Sequence, residues 1–434
     1  MTEVTSNMLN FADMRRKASS SQSYRVKIPS SNGTSFNLNQ TIDIDLPANV
    51  RNTYLDFASS YLSLKLTNND GGDVKLNGQG IYSIIKRIEC VVGSQTLFSC
   101  DNYNQLVDML MDQDSTSNYK DNTGRILMGT ASNKFAGFPV PAGSTKQYCF
   151  PLVGNILYNT NKYIPLFSAE KLRLKLTLDS AVIALCSAEA GAPLDSDIEI
   201  SEVEFVAYHV QVDEEVQQQI DEMTGGIYSI VGDNYSHTGG TMVATSTSAN
   251  VVTGFSYGSL NRVLVAFNPT ASRVYTNVSF SRTQNHLTSA SLAINGQKLP
   301  QREIKDLGAS AGGDLGGSEP LAELLVADKA LHAINHSTAF DANGSDSFTR
   351  RGVNAVGGTQ ATTGTYMIGI DTERVRGDQD KIYSGINTIG ASVQFQAEFA
   401  NTSDACNIDC FANYTTKFTL DASPNGSRVW EVQV

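Results

Sequence analysis

Charge is scarce in this sequence. Charged residues make up 18% of 434, and Asn, Ser, Thr and Gly take up the difference. Long salt-bridged helices need more charge than this, so strands joined by turns are expected. Histidine is scarcer still, with five in all, and a single Trp stands beside 18 Phe and 17 Tyr. Apolar runs are short: the longest, such as SAVIAL at 180–185, fall far below the ~20 residues of a membrane-spanning helix. Residues 1–22 lack the apolar core and cleavage site of a secretory leader, so synthesis in the cytoplasm and six reduced Cys thiols are expected. Positive charge is also short. A net charge of −12 argues against a protein that sheathes nucleic acid, because that binding draws on Lys and Arg neutralising phosphates. Only Arg15, Arg16 and Lys17 gather as a basic cluster.

The motifs of chemistry are incomplete. Of the five histidines (209, 237, 286, 332 and 336), only His332 and His336 lie close together. They have helical i, i+4 spacing but no Glu between them in the zincin pattern. Cys406 and Cys410 form a C-x3-C without the second ligand pair that structural zinc needs. Asp195, Asp197 and Glu199 alternate like the carboxylates of a β-strand glycosidase, yet the full set is missing and they precede the strand expected at 202–212. The Gly-rich stretch 308–320 lacks the Lys of a phosphate cradle, and no Ser/His/Asp triad order is present. Arg376, Gly377 and Asp378 spell a tripeptide in a charged turn. No catalytic, cofactor or metal residue is assigned, and a non-enzyme is expected.

What the chain does have is alternation. Phe36, Leu38, Ile42 and Ile44, then Leu62, Leu64 and Leu66, then 84–92 and 172–178, read as half-buried strands. Residues 101–113 have helical spacing, and 213–223 open on acids and close on Gly225 and Gly226, the start and stop signals of a helix. Residues 114–146 are long, polar and without period, a loop of the kind that is usually functional.

The pattern then starts again. LSLKL is answered by RVLVAF at 262–267, Gly93 by Gly296, LRLKLTL at 172–178 by VQFQAEF at 393–399, and FVAY at 205–208 by FANY at 411–414. Four matches in the same order, offset by roughly two hundred residues, predict a tandem duplication of one β-domain. The expected division is an arm over 1–22, a first β-domain over 23–212, a linker helix over 213–225 and a second β-domain over 226–434. Roughly eight short strands per copy suit a sandwich or a jelly roll, and periodicity fits both.

Several of these segments resemble a known family. IKRIECVVGSQTL and SASLAINGQKL, PLFSAEKLRLKLTLDSA, VEFVAYHVQVDEEVQQQI and GSLNRVLVAFNP are similar to parts of the double jelly-roll major capsid proteins of tailless icosahedral DNA viruses. That lineage includes adenoviruses, large algal viruses, virophages and polinton-like viruses. The resemblance spans about residues 24–421. It implies an all-β fold of two tandem eight-stranded jelly rolls with short helices and long loops. It also implies a structural subunit of the virion that forms homotrimeric, pseudo-hexameric capsomers and meets neighbouring capsomers and minor or penton proteins. On this reading 114–146 and 335–364 face outward. Arg15, Arg16 and Lys17 lie at the inner face, against an internal membrane or a minor protein there, with no direct contact to nucleic acid. The alternative is a tandem β-sandwich carbohydrate-binding or adhesin protein, which would use the same loops for sugar and would normally carry a secretion signal.

Overall fold

The computed structural model describes residues 21–132, 134, 139–160, 162–186, 193–270, 279–306, 317–329, 346–347, 363–373, 384–400, 403–423 and 426–433. Sixteen principal strands organise it. The first eight are β1 Ser21–Pro29, β2 Thr41–Asp45, β3 Thr53–Asn68, β4 Ile85–Val92, β5 Gln95–Asp101, β6 Thr145–Phe150, β7 Leu172–Leu178 and β8 Ile198–Val212. The second eight are β9 Ile227–Met242, β10 Ser248–Val252, β11 Leu260–Pro269, β12 Leu287–Ile294, β13 Gln297–Lys305, β14 Ile368–Asp371, β15 Val393–Phe399 and β16 Cys406–Asp421.

Pairing repeats with the numbering advanced by eight. The first set forms sheets β1-β8-β3-β6 and β2-β7-β4-β5, all antiparallel. The second forms β9-β16-β11-β14 and β10-β15-β12-β13. Two four-stranded sheets with the first strand beside the last and the second beside the seventh make a jelly roll, and the chain holds two. The expected repeats occupy matching sites. Phe205 pairs with Leu62 and Phe411 with Leu264, while Gly93 and Gly296 turn the β4–β5 and β12–β13 hairpins at φ 55° and 80°. The left-handed backbone there favours a residue without Cβ.

Alternation drives burial inside each roll. Leu172, Leu174, Leu176 and Leu178 are buried, whereas Arg173 between them is exposed and pairs with Asp45. Each such leucine contributes about 1.5–3 kcal/mol of burial. The run from Phe36 to Ile44 does not stay one strand: Ser35–Asn37 pairs with β8, the chain turns at Asn39 (φ 64°), and β2 continues in the other sheet. β8 begins at Ile198, four residues before the expected strand. β1 begins at Ser21.

Seven helices are described: α1 Tyr103–Asp114, α2 Ser117–Asp121, α3 Thr123–Leu127, α4 Ile156–Asn159, α5 Ala181–Ala184, α6 Glu214–Thr224 and α7 Ser318–Ala327. Helix α6 joins the rolls and stops at Gly225 in the left-handed conformation. Helix α1 starts after Asn102, and Asp101 belongs to β5 rather than capping the helix. Residues 114–146 are not one open loop. They carry α2, α3, the short strand Pro139–Val140 and the first residues of β6, and they bury Lys120 and Lys134.

The registers fix direction. Ser21, Thr53 and Val212 share one end of the first roll, and Pro29, Asn68 and Ile198 the other. Connectors 102–144 and 179–197 leave the second of these ends. In the second roll the equivalent end holds Met242, Pro269 and Cys406, and β13 ends and β14 begins toward it. Like ends meet. Gly78 and Phe280, in the two β3–β4 and β11–β12 connectors, touch at one end. Tyr54 and Tyr228 meet through α6 at the other. The rolls therefore stand side by side and point the same way.

Candidate functional site at the joint between the rolls

Helix α1 leaves β5 and lies between the two rolls, and its acidic residues supply the joint. Asp108 and Asp112 are one turn apart, on one face, and both are buried. Lys120 Nζ donates to Asp112 Oδ1 at 2.6 Å, and Lys134 Nζ to Asp108 Oδ2 and Asp112 Oδ2 at 2.6 Å each. Arg282, from the second roll, donates from one guanidinium nitrogen to Asp108 Oδ2 at 2.6 Å and from another to Asp112. Three cations meet two carboxylates with almost no solvent contact. Burial pushes the Asp112 carboxyl up, but Lys120, Lys134 and Arg282 together outweigh it and hold it well below the usual carboxylate range. The cluster crosses from one roll to the other, and losing either carboxylate leaves positive charge stranded in a dry site.

A second clamp closes the opposite end. Tyr54 donates to Gln217 Oε1 at 2.8 Å, and Gln217 Nε2 donates to Tyr228 Oη at 2.8 Å and to Asp221 Oδ1 at 3.0 Å. The Tyr228 hydroxyl donates in turn to Asp221. One buried glutamine on α6 thus ties a strand of each roll. Between the clamps, Asn102 Nδ2 donates to Asp409 Oδ1 at 3.0 Å, and His237 Nε2 sits 2.9 Å from the same oxygen.

A cavity of about 800 Å³ opens beside the joint, lined by residues of both rolls including Tyr158, Tyr235 and Arg262. Arg262 donates to Asp328 at 2.7 Å and to the Tyr235 hydroxyl at 2.6 Å. Asp233, on its wall, accepts from Asn261 at 3.2 Å and Thr415 at 3.0 Å, and burial raises its carboxyl above the usual value. These groups, all of the second roll, neutralise and orient one another on its side of the cavity.

The residues singled out by sequence fall elsewhere. Arg15, Arg16 and Lys17, His332 and His336, and Arg376–Asp378 lie outside the described residues. Asp195 accepts from the Ala181 amide, Asp197 from the Leu194 amide and Glu199 from Ser35 Oγ, so all three hold local backbone and strand contacts. The six cysteines are free. Burial pushes the Cys186 and Cys406 thiols up to about 12, and those of Cys90, Cys100 and Cys410 further. Sequence reasoning missed Asp108, Asp112 and Arg282. Its one available signal was a pair of acids at i, i+4 on the α1 face that should have been apolar.

No protein-family profile and no curated protein matches the sequence. Solved structures do match. The PBCV-1 virus capsid, in a quasi-atomic model, superposes with TM-score 0.64 at 11% identity, covering 96% of this chain and 98% of that one. The Faustovirus major capsid protein gives 0.61 at 9% identity, with 93% and 91% covered. The Sputnik virophage structure from cryo-EM gives 0.59 at 11% identity, with 100% and 93% covered. At near-full coverage on both sides, these likenesses show that the chain has the double jelly-roll fold.

Proposed function

We propose that this chain is a major capsid protein, the structural subunit of an icosahedral viral shell. The observation that carries the reading is the pair of rolls standing side by side in one direction, with strand pairing that repeats across the chain. A hexagonal tile has to offer six similar edges to its neighbours. Three chains of two similar rolls supply six while keeping a true threefold axis, so a homotrimer makes a pseudo-hexameric capsomer. The likeness to the PBCV-1, Faustovirus and Sputnik capsid proteins supports the same reading.

In this proposal the chain divides at α6 into two building blocks, and the capsomer resides in the virion after synthesis in host cytoplasm. Its partners are itself, neighbouring capsomers and minor or penton proteins. Connectors 114–146 and 335–364 face outward; what supports this for 114–146 is that β5 ends and β6 begins away from Ser21, while 335–364 lies almost wholly outside the described residues. The arm over 1–22, with Arg15, Arg16 and Lys17, lies at the inner end against a membrane surface, where each basic charge contributes about 1 kcal/mol. The reading needs no catalysis and no cofactor.

Light scattering on the purified chain tests the proposal, with a single species of three chain masses expected. A monodisperse monomer at physiological salt contradicts it. Deleting residues 1–20 should leave the trimer intact and impair assembly of membrane-containing particles. Normal particle yield would remove the inner-face role of the arm.

A further inference from the structure

Strands β1 and β9 hold the same place in the two rolls. Each is an edge strand paired along the last strand of its roll. Their surroundings differ. β9 is covered by the first roll: β5 and α4 lie against it. The Ile156 amide donates to Asn234 Oδ1 at 2.7 Å, Asn159 Nδ2 to the Asp233 carbonyl at 3.1 Å, and Asn102 approaches His237 at 3.3 Å. β1 is bare. Seven of its nine residues are exposed, and Tyr24 shows 40% of its surface.

The covering side shows the mirror asymmetry. β5 of the first roll faces β9, while its equivalent β13 packs on α7 of its own roll and leaves Gln297, Lys298, Gln301 and Arg302 exposed. Among the described residues, one chain therefore displays a used contact, β5 on β9, and both halves of the same contact unused, β13 and β1. An open edge strand with an exposed aromatic is a liability unless something covers it.

We propose that β1 docks against the β13 side of the second roll of another copy, repeating between chains the contact that β5 makes with β9 within the chain. The occupant is a second copy because the first roll of this same chain already shows the shape that fits such a strand. A head-to-tail contact of this kind closes into a ring when the rotation per step allows it. Two rolls per chain close after three chains. The inference rests on the trimeric reading above and adds which surfaces make the trimer.

The test uses the full chain, with heavy and light isotope populations mixed before assembly and then treated with a lysine-reactive cross-linker. Heavy–light links between Lys27 and Lys298 or Lys305 are expected. The variant Tyr24→Asp/Val26→Asp should lose the trimer while keeping the unfolding transition of the single chain. A trimer whose heavy–light links join other faces, or a trimer that survives this double substitution, overturns the docking surface and leaves the trimer standing. A wild-type chain that stays monomeric overturns the trimeric reading itself. Should the variant fail to fold, the links on the wild-type chain decide alone.

Discussion

Arg282 of the second roll holds Asp108 of the first at 2.6 Å, with both side chains almost wholly buried. That contact, 174 residues apart in sequence, makes the relative placement of the rolls a matter of paired charge as well as apolar packing. Arg282→Leu removes two charge-assisted hydrogen bonds while Asp108 keeps Lys134 and Asp112 keeps Lys120, and should cost about 1.5–3 kcal/mol. Denaturant unfolding checks the loss. A change below 1 kcal/mol would mean that the pair does not hold the joint.

Acid acts on the same cluster with a definite sign. Asp112 is held below its unfolded pKa, so its contribution to stability is complete above the ordinary carboxylate range and disappears as pH falls through the depressed folded value. The joint should stay closed at pH 5 and open only in strong acid. Thermal unfolding across pH, compared with Asp112→Asn, reads this: the variant should be less stable at pH 7 and converge with wild type at the acid extreme.

Asp233 has the opposite sign. Burial raises its carboxyl, so the charged form costs stability at neutral pH, and protonation relieves that cost as pH falls through the raised folded value. Asp233→Asn should raise the melting temperature at pH 7 and lose that advantage in acid. A lower melting temperature at pH 7 would show that the carboxylate is needed as an acceptor for Thr415 and Asn261.

How much of this was legible in the sequence depends on which face a residue serves. Strands with clean alternation, such as Leu172–Leu178 and Val393–Phe399, were readable because one face is buried and the other wet. The hairpin glycines were readable because φ at Gly93 and Gly296 is positive. Edge strands β1 and β9 were not: Ser21–Pro29 is exposed on nearly every residue, and Ile227–Met242 meets protein on both faces, so neither alternates. The buried ions were hidden for a related reason. Lys120 and Lys134 sit in a polar stretch without period, and only the folded chain shows that Asp108 and Asp112 neutralise them.

The hairpin glycines should be replaceable at similar cost. Gly296→Ala adds a Cβ into open space, and Gly93→Ala adds one facing the end of the exposed Glu170 side chain, which can swing away. Each should lose about 1–2 kcal/mol from the left-handed backbone alone, read by denaturant unfolding. A much larger loss at Gly93 would show that Glu170 is fixed.

The thiols should be quiet in the native protein. Five of the six cysteines are buried and Cys149 is half-buried, so a thiol reagent should label Cys149 first and the others only after unfolding. Fast labelling of Cys90 or Cys410 in native protein would contradict the packing of β4 or β16.

Two similar rolls acting as two edges of one tile is the central claim, and averaged electron micrographs of the purified oligomer viewed end-on test it most directly. The account predicts six lobes around a threefold axis, with alternate lobes alike. Images of a single two-lobed particle, or of rings with twofold or fourfold symmetry, would contradict it.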